Sequence, residues 1–487
     1  MKNIFKGYFL ITSLFFIGLF TSCSNDDDNS QSVTLNNEVN DFVWKGLNEI
    51  YLWQQDVPNL ADNKFSSEES YFSFLNSYND PESLFYDLLY QYGQVDKFSF
   101  IVDDYVELEN SFSGISKSNG VDFRLGTIRD SNNVFGYVRY IVNNSDASGK
   151  DIHRGDFFME VDGQQLTIDN YSSLLFGSND TYTLGMATVE NSTIALNGKT
   201  VELTKTELTE NPILINKVLD IDGNKIGYLM YNSFIADFDN ELNDVFGEFK
   251  AQGISDLVLD LRYNPGGRVS TAIYLSGMIT GQFTDEIFST EIWNNKYQTY
   301  FEQTQPDFLI NKFTDKLSDN TSINSLNLNK VYILTTEGSA SASELVINCL
   351  EPYIDIVHIG ETTTGKYTAS VTLYDSENFD RDNANPNHTY ALQPLVLKSA
   401  NANGKTDYYD GLTPDISIDE EITNMGILGE TDEPYLAEAI YQITGISSKS
   451  VSKKKKLLNF KGIADVKDFS PIGKEMYIDL EKIKAKK

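Results

Sequence analysis

The chain has 487 residues, 40% hydrophobic and 13% aromatic. That is enough apolar matter for packed cores in about two to four domains, and it excludes global disorder. The net charge of −33 repels nucleic acid and anionic lipid over most of the surface, which excludes a general nucleic-acid-binding role.

The N-terminus reads Met1-Lys2-Asn3-Ile4-Phe5-Lys6, then an apolar run from Tyr8 to Phe20, then Thr21-Ser22-Cys23. A basic start, a short apolar run and small residues before a cysteine predict a signal peptide over 1–22. The run is too short to span a bilayer comfortably, so a transmembrane anchor is the weaker reading. Small residues before Cys23 resemble the bacterial lipobox. That resemblance implies diacylglycerol on the Cys23 thiol and attachment to the outer membrane of a Gram-negative cell, facing the periplasm or the exterior. An acidic tether, 23–35, follows. Acidic residues directly after the cysteine resemble a surface-export signal of some lipoproteins.

Residues 36–112 read as a helical domain. Val39, Phe42, Val43, Leu47 and Ile50 share one helix face. Ser66-x-x-Glu69 has the capping-box pattern, and Asp80-Pro81 an N-cap followed by proline at the first helical position. Residues 113–208 change to short strands: Val121–Leu125, Phe135–Val142 and Phe157–Val161, with a hairpin signal at Asp162-Gly163. Ile152-x-x-Gly155-Asp156, then Val161-Asp162-Gly163, resembles the PDZ signature; a generic small β-barrel is the alternative. The PDZ resemblance implies that an extended peptide adds to the strand near Val121–Leu125, its carboxylate held by backbone N–H groups at Gly120, Val121, Asp122 and Phe123. The charge of Asp122 would oppose that carboxylate.

From 209 to 430 strands and helices alternate, which predicts an α/β unit. Leu257–Leu259 and Val331–Thr335 read as strands buried on both faces. Leu242, Val245, Phe246 and Phe249 mark a helix face, and 286–330 reads as a polar, irregular excursion. Cys349 reads as a buried core thiol. His153, His358 and His388 lack metal-ligand spacing, and no metal or nucleotide cofactor is implied. The stretch 431–487 reads as a partly helical, basic, solvated tail. From Ser447 it carries twelve Lys and five acidic residues, +7, leaving −40 for the remainder of −33.

Three segments stand at ends of the buried strands: Asp260-Leu261-Arg262-Tyr263-Asn264-Pro265-Gly266-Gly267, Gly338-Ser339-Ala340-Ser341-Ala342-Ser343-Glu344, and Gly360-Glu361-Thr362-Thr363-Thr364-Gly365-Lys366. Strand ends that lead into loops are where α/β domains build sites. Ser341-x-x-Glu344 is a capping-box pattern by itself. The alternative is a nucleophile exposed at a strand-to-helix turn, with the helix N-terminus behind it. Such a serine needs a base. Lys366 lies 25 residues on, and a buried lysine is held neutral by desolvation; a surface turn lysine is the alternative.

Taken in order, these segments and Gly411-Leu412-Thr413-Pro414-Asp415 resemble the carboxyl-terminal-processing, or tail-specific, serine peptidases over residues 36 to about 430. The resemblance implies a multidomain α/β chain: helical cap, PDZ-like small β domain and crotonase/ClpP-like spiral core. It implies Ser341 as nucleophile, Lys366 as general base within hydrogen-bond reach, and an oxyanion hole from the N–H of Ala342 and of Gly266 or Gly267. Arg262 and Asn264 would shape that turn. Many members carry Gln or Glu four residues after the lysine; here Ser370 stands there, with Glu344 as another orienting candidate. The implied function is a serine endopeptidase acting on exported polypeptides through an acyl-enzyme. The rival readings are an inactive PDZ-type peptide-binding surface lipoprotein and, last, a structural cell-surface lipoprotein.

Overall fold

The computed structural model describes residues 33–128, 131–190, 193–446, 460–470 and 472–478. The expected signal peptide, Cys23 and most of the tether lie outside the described residues, as does much of the basic stretch after Ser447.

The first helix, Glu38–Ile50, begins at Asn37, whose side chain accepts the Val39 N–H, and it buries Val39, Phe42, Val43, Leu47 and Ile50. Each of these contributes about 1.5–3 kcal/mol of apolar burial. Asp80 caps Pro81–Asp87 as expected. The intervening cap falls one residue later than the sequence pattern: Ser67 pairs with Ser70, ahead of Glu68–Leu75. Serine replaces the longer acidic partner because its hydroxyl also reaches back to the Ser67 backbone. The region is less helical than its periodicity suggests, with short 3₁₀ turns and a strand, Phe100–Val102, paired with Ala391–Gln393.

A second unit is one antiparallel sheet, in which Val121–Ile128, Val134–Ile141, Phe157–Val161, Thr181–Glu190 and Thr193–Thr204 follow one another. Alternate residues face a core of Val121, Phe123, Leu125, Val138, Phe158 and Leu184, against which the helix Tyr171–Phe176 packs. Asp162 and Gly163 both take positive φ, 51° and 73°, which a tight hairpin turn requires.

The third unit is built on a six-stranded sheet ordered Ile213–Ile221, Asn224–Tyr231, Asp256–Asp260, Lys330–Thr335, Asp355–Gly360, Ile416–Ser417. The first pair is antiparallel and the others parallel. Its central strands Asp256–Asp260 and Lys330–Thr335 are buried after their first residue, so they read as nearly continuous apolar runs. Leu242, Val245, Phe246 and Phe249 are buried on Asp239–Gln252, and Cys349 is a buried thiol on Ala342–Leu350.

Two further expectations change. Residues 286–330 hold a strand, Ile287–Trp293, paired with Leu395–Asn401, and a helix, Asn295–Thr304. Trp293, Tyr297 and Phe301 bury their rings there, so tertiary pairing overrides a locally polar composition. In the C-terminal stretch, Pro434–Thr444 is helical, but the described residues beyond it are not a solvated helix. Phe460–Asp465 is a strand on the edge of the small sheet, antiparallel to Val121–Ile128, and Met476–Tyr477 is a strand between Gly267–Arg268 and Thr368–Ser370. Apolar Met476 and Ile478 are buried, which solvation would forfeit.

Candidate active site

Chain geometry brings the three segments together. Arg262 is fully buried. Its guanidinium donates to Asp260 (Nη2–Oδ2 2.8 Å) and Glu433 (Nη1–Oε1 2.6 Å) and lies over the Tyr435 ring. With its charge matched there, the following turn is built by Asn264. The Asn264 side chain donates to Tyr231 O at 2.8 Å and accepts Gly266 N–H at 2.9 Å, while its carbonyl accepts Ala340 N–H and Ser343 Oγ–H. Arg262 and Asn264 thus shape the turn. The Gly266 N–H is consumed inside it, so of the two expected glycines it is Gly267 whose N–H points outward. Gly267 has φ 132°, and a Cβ there would strike Phe234 O.

Ser341 precedes the helix Ala342–Leu350 with φ 64° and ψ −116°. Such backbone in a non-glycine residue costs about 1–3 kcal/mol and persists where neighbours impose it. The neighbour is Glu344. Its buried carboxylate accepts Ser341 N–H (2.7 Å), Thr363 Oγ–H (2.5 Å), Gly365 N–H (2.6 Å) and Lys366 N–H (2.8 Å). Burial pushes its pKa up even though these donors pull it down. Glu344 therefore joins the serine and lysine loops through their backbones and does not touch the lysine amine as an orienting partner. Gly365 turns at φ 93°, where a Cβ would collide with Tyr409 O.

Lys366 is fully buried, its amine over the Phe98 ring. Desolvation pulls its pKa below the ordinary lysine range, outweighing the carboxylate of Glu475 that pushes it up. Ser341, expected to be exposed, is fully buried as well. The C-terminal segment covers it: Gly267 N–H donates to Glu475 O at 2.6 Å, and the position a Cβ on Gly266 would take is 2.6 Å from both Ser341 Oγ and Glu475 O. The expected Ser341–Lys366 hydrogen bond is absent. Among the described residues Ser341 Oγ has no hydrogen-bond partner, and Lys366 Nζ instead donates to Lys474 O (2.7 Å) and pairs with Glu475 Oε2 (3.0 Å). Ser370 likewise meets the lysine through an intermediary: its hydroxyl donates to Glu475 Oε1 and accepts from Gln393 Nε2 at 2.8 Å. Residues that sequence reasoning missed are Gln393, brought in by the strand Ala391–Gln393, and Glu475.

The residues expected to receive a carboxylate on the small sheet are arranged differently. Gly120 N–H and Val121 N–H are taken by Ser118 Oγ and Asn119 Oδ1, both 3.0 Å, and Phe123 is a core residue stacked edge-on to Phe158. Asp122 does not repel an incoming carboxylate, because Arg139 Nε donates to it at 2.5 Å. The other edge of the same guanidinium makes a fork to the Asp465 carboxylate, Nη2–Oδ1 2.7 Å. Carboxylate binding here is by a side chain, and the carboxylate is internal to the chain.

Residues 225–418 match Peptidase family S41, and residues 38–100 match the Peptidase S41 N-terminal domain. The chain belongs to peptidase family S41. A carboxyl-terminal-processing protease of Picosynechococcus sp. is 25% identical over 226 residues, 46% of this chain and 48% of that protein. The carboxy-terminal processing protease CtpA of Bacillus subtilis is 25% identical over 245 residues, 50% of this chain and 44% of that protein. The chain thus spans about half the length of the curated relatives it matches. A crystal structure from Bacteroides fragilis, assigned to the S41 proteases, superposes with a TM-score of 0.66 at 24% identity and covers 84% of this chain and 98% of that one. It shares the fold. The S41 core match contains all three loops described above, and the N-terminal match contributes Phe98, the ring beneath the Lys366 amine.

Proposed function

We propose that this S41 chain is a serine endopeptidase of the carboxyl-terminal-processing kind, hydrolysing exported polypeptides with Ser341 and Lys366. The observation that carries the reading is a peptide carbonyl seated on the Gly267 N–H beside Ser341 Oγ. With a substrate carbonyl in that place, the amine of Lys366, neutral through burial, takes the Ser341 proton as Oγ attacks the carbonyl carbon. The oxyanion is met by the Gly267 N–H and by that of Ala342, the first residue of its helix. Such a donor is worth about 10²–10³ in rate. The lysine then returns the proton to the leaving amine, and water releases the acyl group. Glu344 holds both loops, and Ser370, with Gln393 bonded to its hydroxyl, stands four residues after the lysine where the family places its orienting residue. The small sheet acts as a PDZ-like module presenting polypeptide to the core. Export and lipid attachment at Cys23 complete the proposal, placing the enzyme on the outer membrane. The deciding experiment compares hydrolysis of an unfolded protein by wild type, Ser341→Ala and Lys366→Ala. Loss in both variants is expected, and equal activity in all three refutes the assignment.

A second reading has an observation behind it. Lys366 is committed to Lys474 and Glu475 and makes no hydrogen bond with Ser341, as suits a peptide-binding lipoprotein without catalysis. Retained peptide binding with no labelling of Ser341 by a fluorophosphonate would favour it.

A further inference from the structure

The described parts of the C-terminal segment, 460–470 and 472–478, lie across both units. Phe460–Asp465 adds to the edge of the small sheet, Phe460 opposite Ile128 and Asp465 opposite Arg124. Extended segments that add to a sheet edge are recognised through main-chain pairing, with side-chain pockets giving selectivity. Two such side chains are engaged here. The Asp465 carboxylate is forked by Arg139, and the Phe469 ring lies flat on Phe176, centroids 3.7 Å apart and 12° from parallel. The segment then crosses to the core, where Lys467 Nζ donates to Tyr263 O, within the turn that carries Gly267. Met476–Tyr477 is a strand wedged between Gly267–Arg268 and Thr368–Ser370, with Ile478 N–H donating to Ser370 O. Along this path the Glu475 carbonyl sits on the Gly267 N–H, where the reading above needs the scissile carbonyl of a substrate.

The arrangement is substrate-like in its backbone and unproductive in its chemistry. A base must accept the Ser341 proton, but the Lys366 amine is turned onto Lys474 O and Glu475 Oε2, and Ser341 Oγ makes no hydrogen bond among the described residues. Glu475 presents a carboxylate to the amine, which opposes the desolvation that favours the neutral form a base requires. Ser341 and Lys366 are both fully buried, so no other polypeptide reaches them until the segment leaves.

We propose that the C-terminal segment, residues 460–470 with 472–478, is a resident inhibitor of the peptide path, displaced by a polypeptide that pairs with the sheet edge, offers an acidic residue to Arg139 and, after one 3₁₀ turn, an aromatic ring to Phe176 four residues on. This rests on Ser341 and Lys366 being the reacting pair. The chain is then its own competitor, and the effective substrate preference is set by what outcompetes Asp465 and Phe469. Because the inhibitor is tethered, it acts at high effective concentration, and weakening two of its anchors shifts occupancy without altering the reacting groups.

The test uses the full chain as wild type and as Asp465→Ala/Glu475→Ala, with Glu475→Gln as a near-isosteric second variant should the double variant fail to fold. Two quantities are read: anisotropy of a fluorescent synthetic peptide with the sequence of residues 460–478, and the rate at which a fluorophosphonate labels Ser341. The double variant should bind the peptide at least ~10-fold more tightly than wild type and label at least ~10-fold faster, the population shift expected when charge-assisted contacts are lost from a bound state. Glu475→Gln should move both in the same direction by less. Tighter peptide binding with no labelling of any form upholds the resident segment and refutes the peptidase reading. Equal, measurable labelling and equal peptide binding in every form overturns the resident segment and leaves the peptidase reading standing.

Discussion

Glu344→Gln is an informative perturbation because it keeps shape while removing a charge. The carboxylate accepts four donors, two on each oxygen: Ser341 N–H and Lys366 N–H on Oε2, Thr363 Oγ–H and Gly365 N–H on Oε1. An amide offers one accepting oxygen. Placed at the Oε2 position, that oxygen keeps the Ser341 and Lys366 bonds. The amide nitrogen then faces Thr363, whose hydroxyl can rotate to accept, and Gly365, whose N–H is orphaned. One buried orphan donor costs about 1–3 kcal/mol, and the two retained bonds lose charge assistance. Against this, burial already disfavours the carboxylate, as its raised pKa shows, so a neutral amide recovers part of the loss. The net expectation is about 1–3 kcal/mol. Expressed at the transition state, that is roughly a 5- to 150-fold loss in kcat/KM at 1.36 kcal/mol per decade. Glu344→Ala orphans three backbone N–H groups and should fall much further. The assay is steady-state hydrolysis of an unfolded protein, together with the melting temperature of each variant. A Gln variant within twofold of wild type in both measures would refute the view that this carboxylate aligns the serine and lysine loops.

Other consequences are equally direct. Lys366 works only when neutral and burial lowers its pKa, so kcat/KM should rise with pH through a midpoint below the ordinary lysine range; a rate that falls across the same span would contradict the assignment. Gly267→Ala forces a Cβ onto Phe234 O and moves the outward N–H, so hydrolysis should drop about 10²–10³-fold with KM little changed, measured by initial rates. Burial holds His358 down at about 4, so its neutral form stabilises the fold fully above the unfolded value of 6.5 and loses that contribution as pH falls toward 4. The difference of 2.5 units corresponds to about 3 kcal/mol, and His358→Asn should flatten the fall in melting temperature over that interval. Arg139→Ala leaves Asp122 and Asp465 buried without their cation, at about 3–5 kcal/mol; an unchanged thermal transition would argue that both carboxylates are solvated.

The three loops were legible as strand-end segments, with glycine where φ is positive at Gly266, Gly267 and Gly365; local chemistry alone favours a helix cap at Ser341, and the pairing with Lys366 comes from the family resemblance. The helix faces were legible through periodicity, and the buried strands as unbroken apolar runs. What escaped were contacts made by distant pairing. Glu344 looked like a helix cap, yet three of its four bonds belong to the loop about twenty residues on. Gln393 arrives beside Ser370 on a strand whose partner, Phe100–Val102, lies almost 300 residues earlier. The tail escaped most completely, since the Lys453–Lys456 run argued for solvation. The signal that would have found it is the apolar Met476-Tyr477-Ile478 triplet beyond that run, which has no reason to exist in a solvated tail.

The Asp122–Arg139 pair has a consequence for reversibility. A guanidinium that served one visiting carboxylate would be stranded, buried and unmatched, whenever the visitor departed, and the vacated groove would collapse or refuse to open. Asp122 is a counterion on the neighbouring strand, so with the proposed exchange of guests the cation would stay matched, and the cleft could empty and refill without unfolding.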